Sequence, residues 1–243
     1  MRALDLAARI GPYFTWQQGP FPPHFSDISD LSDARILEGR VAAATRVLQR
    51  LGASAGLEER VVASTVFLGL AARLVSPPLG AAVIGGAVPV ADPARMRWQA
   101  VESGPIPIVY DDLGASEADD VTAIVDVITT LVAPILDGFR TRFVLSPQVL
   151  WGNVASALGG AHTMIAKAVP EHAARSAFLL ESLLAREPLA GMATLHHPAD
   201  GHWFLVRRNC CLYYRIPGGG TCGDCVLVPA EDRRRQWQAI LGR

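Results

Sequence analysis

All four cysteines of this 243-residue chain, Cys210, Cys211, Cys222 and Cys225, fall within sixteen positions, spaced C-C-x10-C-x2-C. Cysteine is often an inert core residue, but core thiols have no reason to gather in one short segment. Disulfides fit poorly, because neighbouring residues have Cα atoms only ~3.8 Å apart, below the usual disulfide range. Cys210 and Cys211 would therefore have to bond elsewhere. A thioredoxin-like role for Cys222 and Cys225 requires the C-x-x-C to open a helix after a strand. Here Gly218–Gly220 precede it and Val-Leu-Val-Pro follows. Ligation of a thiophilic metal remains, as zinc or as an iron–sulfur cluster.

The spacing bears on which. Structural zinc sites draw ligands from two C-x2–4-C knuckles, and only Cys222 and Cys225 form one. Adjacent side chains of an extended strand point to opposite faces, so Cys210 and Cys211 need a local bend to share an ion. A 2Fe–2S cluster has two irons, each open to two cysteines, and can collect its sulfurs over a wider arc. Gly218, Gly219, Gly220 and Gly223 allow the backbone to wrap closely and offer N–H groups to sulfur. The residues favour iron–sulfur over zinc and leave both open.

The segment resembles the C-terminal motif of the FhuF-like ferric-siderophore reductases, which shows this same C-C-x10-C-x2-C pattern. "CCLYY" at its start and "PGGGTCGDC" at its end both match, and "AARLVSPPLG" (71–80) and "WGNVASAL" (151–158) look like the body of that family. The resemblance implies that Cys210, Cys211, Cys222 and Cys225 all ligate one 2Fe–2S cluster. It implies one-electron reduction of a ferric siderophore of the hydroxamate type, releasing Fe(II) for iron assimilation, with no catalytic group beyond the cluster. The sequence has neither a Rossmann fingerprint nor a flavin motif, so the expected electron donor is a separate ferredoxin or NAD(P)H-dependent reductase. The alternatives are a siderophore- or partner-binding protein with a structural four-cysteine zinc site, and an iron–sulfur electron carrier or redox sensor.

Charge is concentrated around the motif. Residues 201–243 carry seven arginines against three acids, in a chain of net charge −1. Arg207, Arg208 and Arg215 flank the cysteines and read as a positive collar that raises a cluster's potential and docks an anionic complex or an acidic ferredoxin. Arg207 and Arg208 are the candidate substrate-binding residues. Arg233–Arg235 read as a solvated helix face, and Asp224 as a charge that lowers the potential. His196, His197 and His202 read as surface or loop residues, since four cysteines already complete a 2Fe–2S cluster. Trp151 and Asn153 read as packing and capping residues, and Arg73 as closing a helix C-terminus. Trp203, Tyr213 and Tyr214 serve core packing or shield the cluster.

Half the residues are apolar and 19% are charged, which excludes a disordered chain. The near-neutral balance argues against nucleic acid as a partner. No secretory signal opens the chain. The apolar stretches 61–72 and 121–136 are short for a span of roughly 30 Å of hydrocarbon and read as core helices. The expectation is a soluble, monomeric, cytoplasmic protein, with at most peripheral association at the inner face of the cell membrane.

The elements that must position the thiols are mostly helical. Periodicity predicts helices over 34–51, 56–75 (ending where Pro77 and Pro78 prevent continuation), 146–158 and 170–185, with a further helix from a Ser116 cap and a closing helix over 229–243. Residues 1–30 read as an arm lying on the body. Strands are predicted at 80–90, 105–110, 202–208 and 211–217. The fold class is α+β: a mainly α-helical body with a small antiparallel sheet (1–195) and a C-terminal cysteine-ligated module packed on it (196–243).

Overall fold

The computed structural model describes residues 1–53 and 56–242. Its centre is helix α3 (Glu59–Gly80), apolar on nearly all faces, with Val62, Phe67, Leu74, Val75 and Leu79 buried. A helix without a polar face must be surrounded. Around it pack α1 (Arg2–Ala8), α2 (Ala34–Arg50), α4 (Asp120–Val127), α5 (Ala133–Phe143) and α6 (Pro147–Ala168), with α7 (Ala173–Leu184) beyond α6. Phe67 and Phe139 meet edge to face at 5.3 Å where α3 crosses α5.

The expected helices over 34–51, 146–158 and 170–185 are present as α2, a longer α6 and α7. Ser146 caps α6 by accepting from the Val149 N–H, with Pro147 at the first helical position. The first turn of α4 departs: its cap is Asp119, which accepts from the Val121 and Thr122 N–H groups, while Ser116 holds a turn at Ala118.

The first thirty residues are not a peripheral arm. They form α1 and then place Phe14 and Trp16 in the core. This explains the second departure, for α3 does not stop at its prolines. Pro77 lacks the N–H that the Arg73 carbonyl would accept in a regular helix. The Trp16 indole Nε1–H donates to that carbonyl instead, at 3.2 Å. The helix runs on through Pro78 and widens into a π turn over Ala81–Gly85, so the strand expected at 80–90 is absent. Small residues fit the close approach there: a Cβ on Gly85 would fall 2.4 Å from that of Ala3 in α1.

Arg73 is likewise not a helix-end residue. It is buried in mid-helix and donates to the Ile106, Tyr13 and Thr15 carbonyls, joining the N-terminal segment to α3 and to the loop at Ile106. Burial lowers its pKa to about 10.

The strands β1 (Gln17–Gln18), β2 (Ser26–Asp27), β3 (Met96–Trp98) and β4 (Ile108–Tyr110) form a sheet in the order β1-β4-β3-β2. The sheet is mixed rather than antiparallel, because β1 pairs parallel with β4. An antiparallel hairpin, β5 (Ala193–Ala199) and β6 (His202–Arg207), follows α7 and runs across the position where the sequence suggests dividing the chain. The strand expected over 211–217 is replaced by a single helical turn at Tyr213–Arg215. The closing helix is α8 (Ala230–Leu241); position 243 of the expected helix lies outside the described residues.

Two continuous helical stretches, Glu59–Gly85 and Asp120–Phe143, are longer than the sequence pattern suggests, and long and apolar enough to cross a membrane. The most apolar window of the first is 78% buried within the protein, that of the second 50%.

Candidate metal centre

The cysteine segment starts where β6 ends, and that point is held from two sides. The Arg207 N–H donates to the Asp224 carbonyl at 3.0 Å, fastening the strand end to the C-x-x-C loop. The Arg208 N–H donates to the Met192 carbonyl at 2.9 Å. The bend that the adjacent cysteines require is made at Leu212, whose φ of +68° lies in the left-handed region, uncommon for a residue with a side chain. That turn directs the Leu212 N–H back to the Cys210 sulfur at 3.3 Å. Left-handed glycines at 218 and 220 then return the chain toward Cys222.

All four cysteines are free thiols; Cys211 and Cys225 are buried, and Cys210 and Cys222 are partly covered. The Cys211 and Cys222 sulfurs lie 3.4 Å apart. The hydrogen bond between them lowers the Cys211 pKa to about 6, while Cys222 is pushed up by that bond and by burial. Desolvation also raises Cys210. Among the described residues, no three His, Cys, Asp or Glu side chains close round a single ion.

Behind the sulfurs is a chain of buried polar groups. The Ser64 hydroxyl of α3 donates to the Cys211 carbonyl at 2.8 Å. The Asn153 amide of α6 donates to the Ser64 hydroxyl at 3.0 Å and to its carbonyl at 2.9 Å. The Asn153 Oδ1 accepts from the Arg207 guanidinium at 2.5 Å. Arg207 is 1% exposed, and its Nε and one terminal nitrogen have no partner. It lowers the pKa of Cys210 and Cys211 by charge attraction. Buried donors left over beside thiolates are what a further sulfur-rich acceptor would satisfy. The donor set, four soft thiols with cationic N–H donors behind them, fits an iron–sulfur group.

Arg207, expected from the sequence as a substrate-binding residue, is thus buried, with its guanidinium on Asn153 and Asn209. Arg208 is exposed and reaches Thr194 at 3.3 Å. Arg215 forms an ion pair with Glu58. Of the presumed solvated face, Arg235 pairs with Glu231 and Asp232, but Arg233 donates to the Cys225 and Val228 carbonyls and clamps the loop. His196, His197 and His202 are exposed residues of the β5–β6 hairpin. Trp203 stacks on His197 at 5.1 Å rather than on the cysteines, whereas Tyr213 lies against Gly219 in the cysteine loop.

Sequence reading missed Ser64 and took Asn153 for a packing residue. The available signal was a polar side chain set among the apolar residues of each helix. It also missed why α6 is rich in glycine. A Cβ on Gly152 would fall 1.9 Å from the Asn209 Oδ1, and one on Gly159 2.8 Å from Leu205. These gaps admit the module.

An open cleft of about 430 Å³ reaches the cysteine loop between Gly159, Gly160 and Thr163 of α6, Trp203 of β6, and Gly223 and Asp224. A separate apolar cavity of about 240 Å³ between α2 and α3 has no lining residue from the cysteine segment.

No curated protein matches the chain. Residues 207–227, the stretch holding all four cysteines and Arg207, match the family model described as the FhuF 2Fe-2S C-terminal domain, consistent with the FhuF-like family and with an iron–sulfur cluster at this site.

Proposed function

We propose that the protein is a ferric-siderophore reductase in which Cys210, Cys211, Cys222 and Cys225 hold one 2Fe–2S cluster. The observation that carries this reading is a motif-matching segment of four free thiols that starts beside a buried, half-partnered guanidinium. A C-C-x10-C-x2-C set with a single C-x-x-C knuckle suits two irons better than a single zinc.

When bound, such a cluster supplies single electrons at a potential set by its charge and its hydrogen bonds. The chain's own contribution is to fix the thiols at a rigid helical body through Ser64 and Asn153, and to exclude water from Cys211 and Cys225. The cleft beside Gly223 and Asp224 gives a chelate access to the cysteine loop, and Gly223 interposes no side chain. The substrate is a ferric ion held by hard oxygen donors such as hydroxamates. One electron takes Fe(III) to Fe(II), lowers the charge and weakens those bonds, leaving the ligand intact. The electron comes from a separate donor, a ferredoxin or an NAD(P)H-dependent reductase, in the cytoplasm or at the inner face of the membrane.

The test is stopped-flow oxidation of the dithionite-reduced protein by a ferric hydroxamate, with a ferrous-specific chelator present. Rapid bleaching reversal matched by ferrous ion, one per electron, supports the reductase. A coloured protein that stays reduced would make it a carrier or sensor, and a colourless zinc-containing protein would contradict both.

A further inference from the structure

We propose that Arg207 is the buried counter-charge of the thiolate site, held cationic by the helical body and raising the reduction potential of whatever metal group the cysteines bind. This rests on the iron–sulfur reading and goes beyond it in assigning the potential to one residue and its support.

A guanidinium taken out of water is costly unless its charge is matched. At Arg207 the usual match is missing: among the described residues no carboxylate lies within ion-pair distance of it. Its partners are the neutral amides of Asn153 and, at 3.4 Å, Asn209. Two of its nitrogens have none. Neutral amides orient a cation without neutralising it. The negative charge on offer is that of the cysteine segment: Asn209, which Arg207 reaches, precedes Cys210, and the Arg207 N–H is fastened to Asp224 between Cys222 and Cys225, a residue whose own buried carboxylate oxygen has no partner.

Arg207 is also fixed on three sides. Its backbone N–H is held by the Asp224 carbonyl. Asn153 is itself locked to Ser64 by two hydrogen bonds, and Gly152 leaves the space that Asn209 fills. A charge in a fixed, dry place interacts more strongly than one in water. A reduced cluster carries one more negative charge than the oxidised one, so a fixed cation favours the reduced form and raises the potential. The exposed Arg208 and the paired Arg215 and Arg235 are screened by water or by carboxylates. Arg207 is the one of these that is fully buried.

The experiment compares wild type with Arg207→Met and Arg207→Lys in anaerobically prepared full-length protein. Iron and sulfide are assayed first, and the midpoint potential is then read by dye-mediated titration followed by electron paramagnetic resonance. The expected result is at least a tenfold shift toward the oxidised form for Arg207→Met, a fall of about 59 mV for one electron, with a smaller fall for Arg207→Lys. If Arg207→Met fails to load but Arg207→Lys loads fully, the lysine variant decides: a midpoint below that of wild type supports the proposal and an equal midpoint overturns it. Equal midpoints in all three loaded proteins overturn it, as does failure of both variants to load, which would make the residue a matter of shape. Wild type containing no sulfide would instead overturn the iron–sulfur reading itself.

Discussion

Asn153 joins the body to the cysteine module through one side chain: its Oδ1 accepts from Arg207 while its amide nitrogen donates to Ser64. Removing it strands both neighbours in the interior. Asn153→Ala should lose about 1–3 kcal/mol of stability, measured by urea unfolding, and should release iron faster on exposure to a chelator. A variant as stable as wild type would show that the network is incidental.

Two glycines of α6 predict opposite outcomes. Gly152→Ala places a methyl where Asn209 now sits, 1.9 Å from its Oδ1, so it should loosen the module and lower cluster content. At Gly160 an added Cβ meets nothing within 4 Å, so Gly160→Ala should keep its cluster and gain up to about 1 kcal/mol from helix propensity. Iron content and thermal unfolding of the pair check both.

The Trp16 hydrogen bond is what lets α3 pass through Pro77. Trp16→Phe leaves the Arg73 carbonyl unpaired and should cost about 1–3 kcal/mol beyond the loss of packing. The Trp98 Nε1 is buried without a partner, so Trp98→Phe removes similar volume and no hydrogen bond. Denaturation should show Trp16→Phe to be the more damaging change; equal losses would contradict the role given to the indole.

His162 supplies a pH dependence. It is buried on α6 against Ser176, 3.0 Å away, and burial lowers its pKa from 6.5 to about 4. Above pH 6.5 it is neutral folded or unfolded and adds no slope. As the pH falls from 6.5 toward 4, the unfolded chain binds a proton that the folded chain refuses, and stability declines by roughly 3 kcal/mol at most. His162→Gln should lack that part of the decline. Urea titrations of both proteins between pH 7 and 4.5 isolate it, since acid loss of a cluster is common to the two.

What the sequence made legible follows physical range. Helices α2, α6 and α7 announce themselves through local periodicity and, in α6, a Ser-Pro start, because the forces that make them act within a few residues. The four cysteines were legible for the same reason: their chemistry lies in their spacing. The prolines of α3 misled because the group that rescues the helix, Trp16, is 57 positions from Arg73. The apolar 80–90 run resembled a strand, yet its small residues serve the approach of α1. Arg207 and Arg208 are the same residue type side by side, and β6 sends the first inward and the second out to solvent. No local pattern distinguishes them; only α6, with Asn153, does.

The central claim is that four cysteines hold one 2Fe–2S cluster. Its most direct test is the iron and acid-labile sulfide content of anaerobically purified protein, measured beside Cys210→Ala, Cys211→Ala, Cys222→Ala and Cys225→Ala. The account predicts about two iron and two sulfide per wild-type chain, with a reddish-brown colour, and loss of both in each variant. Zinc without sulfide, or a full complement in any of the four variants, would contradict it.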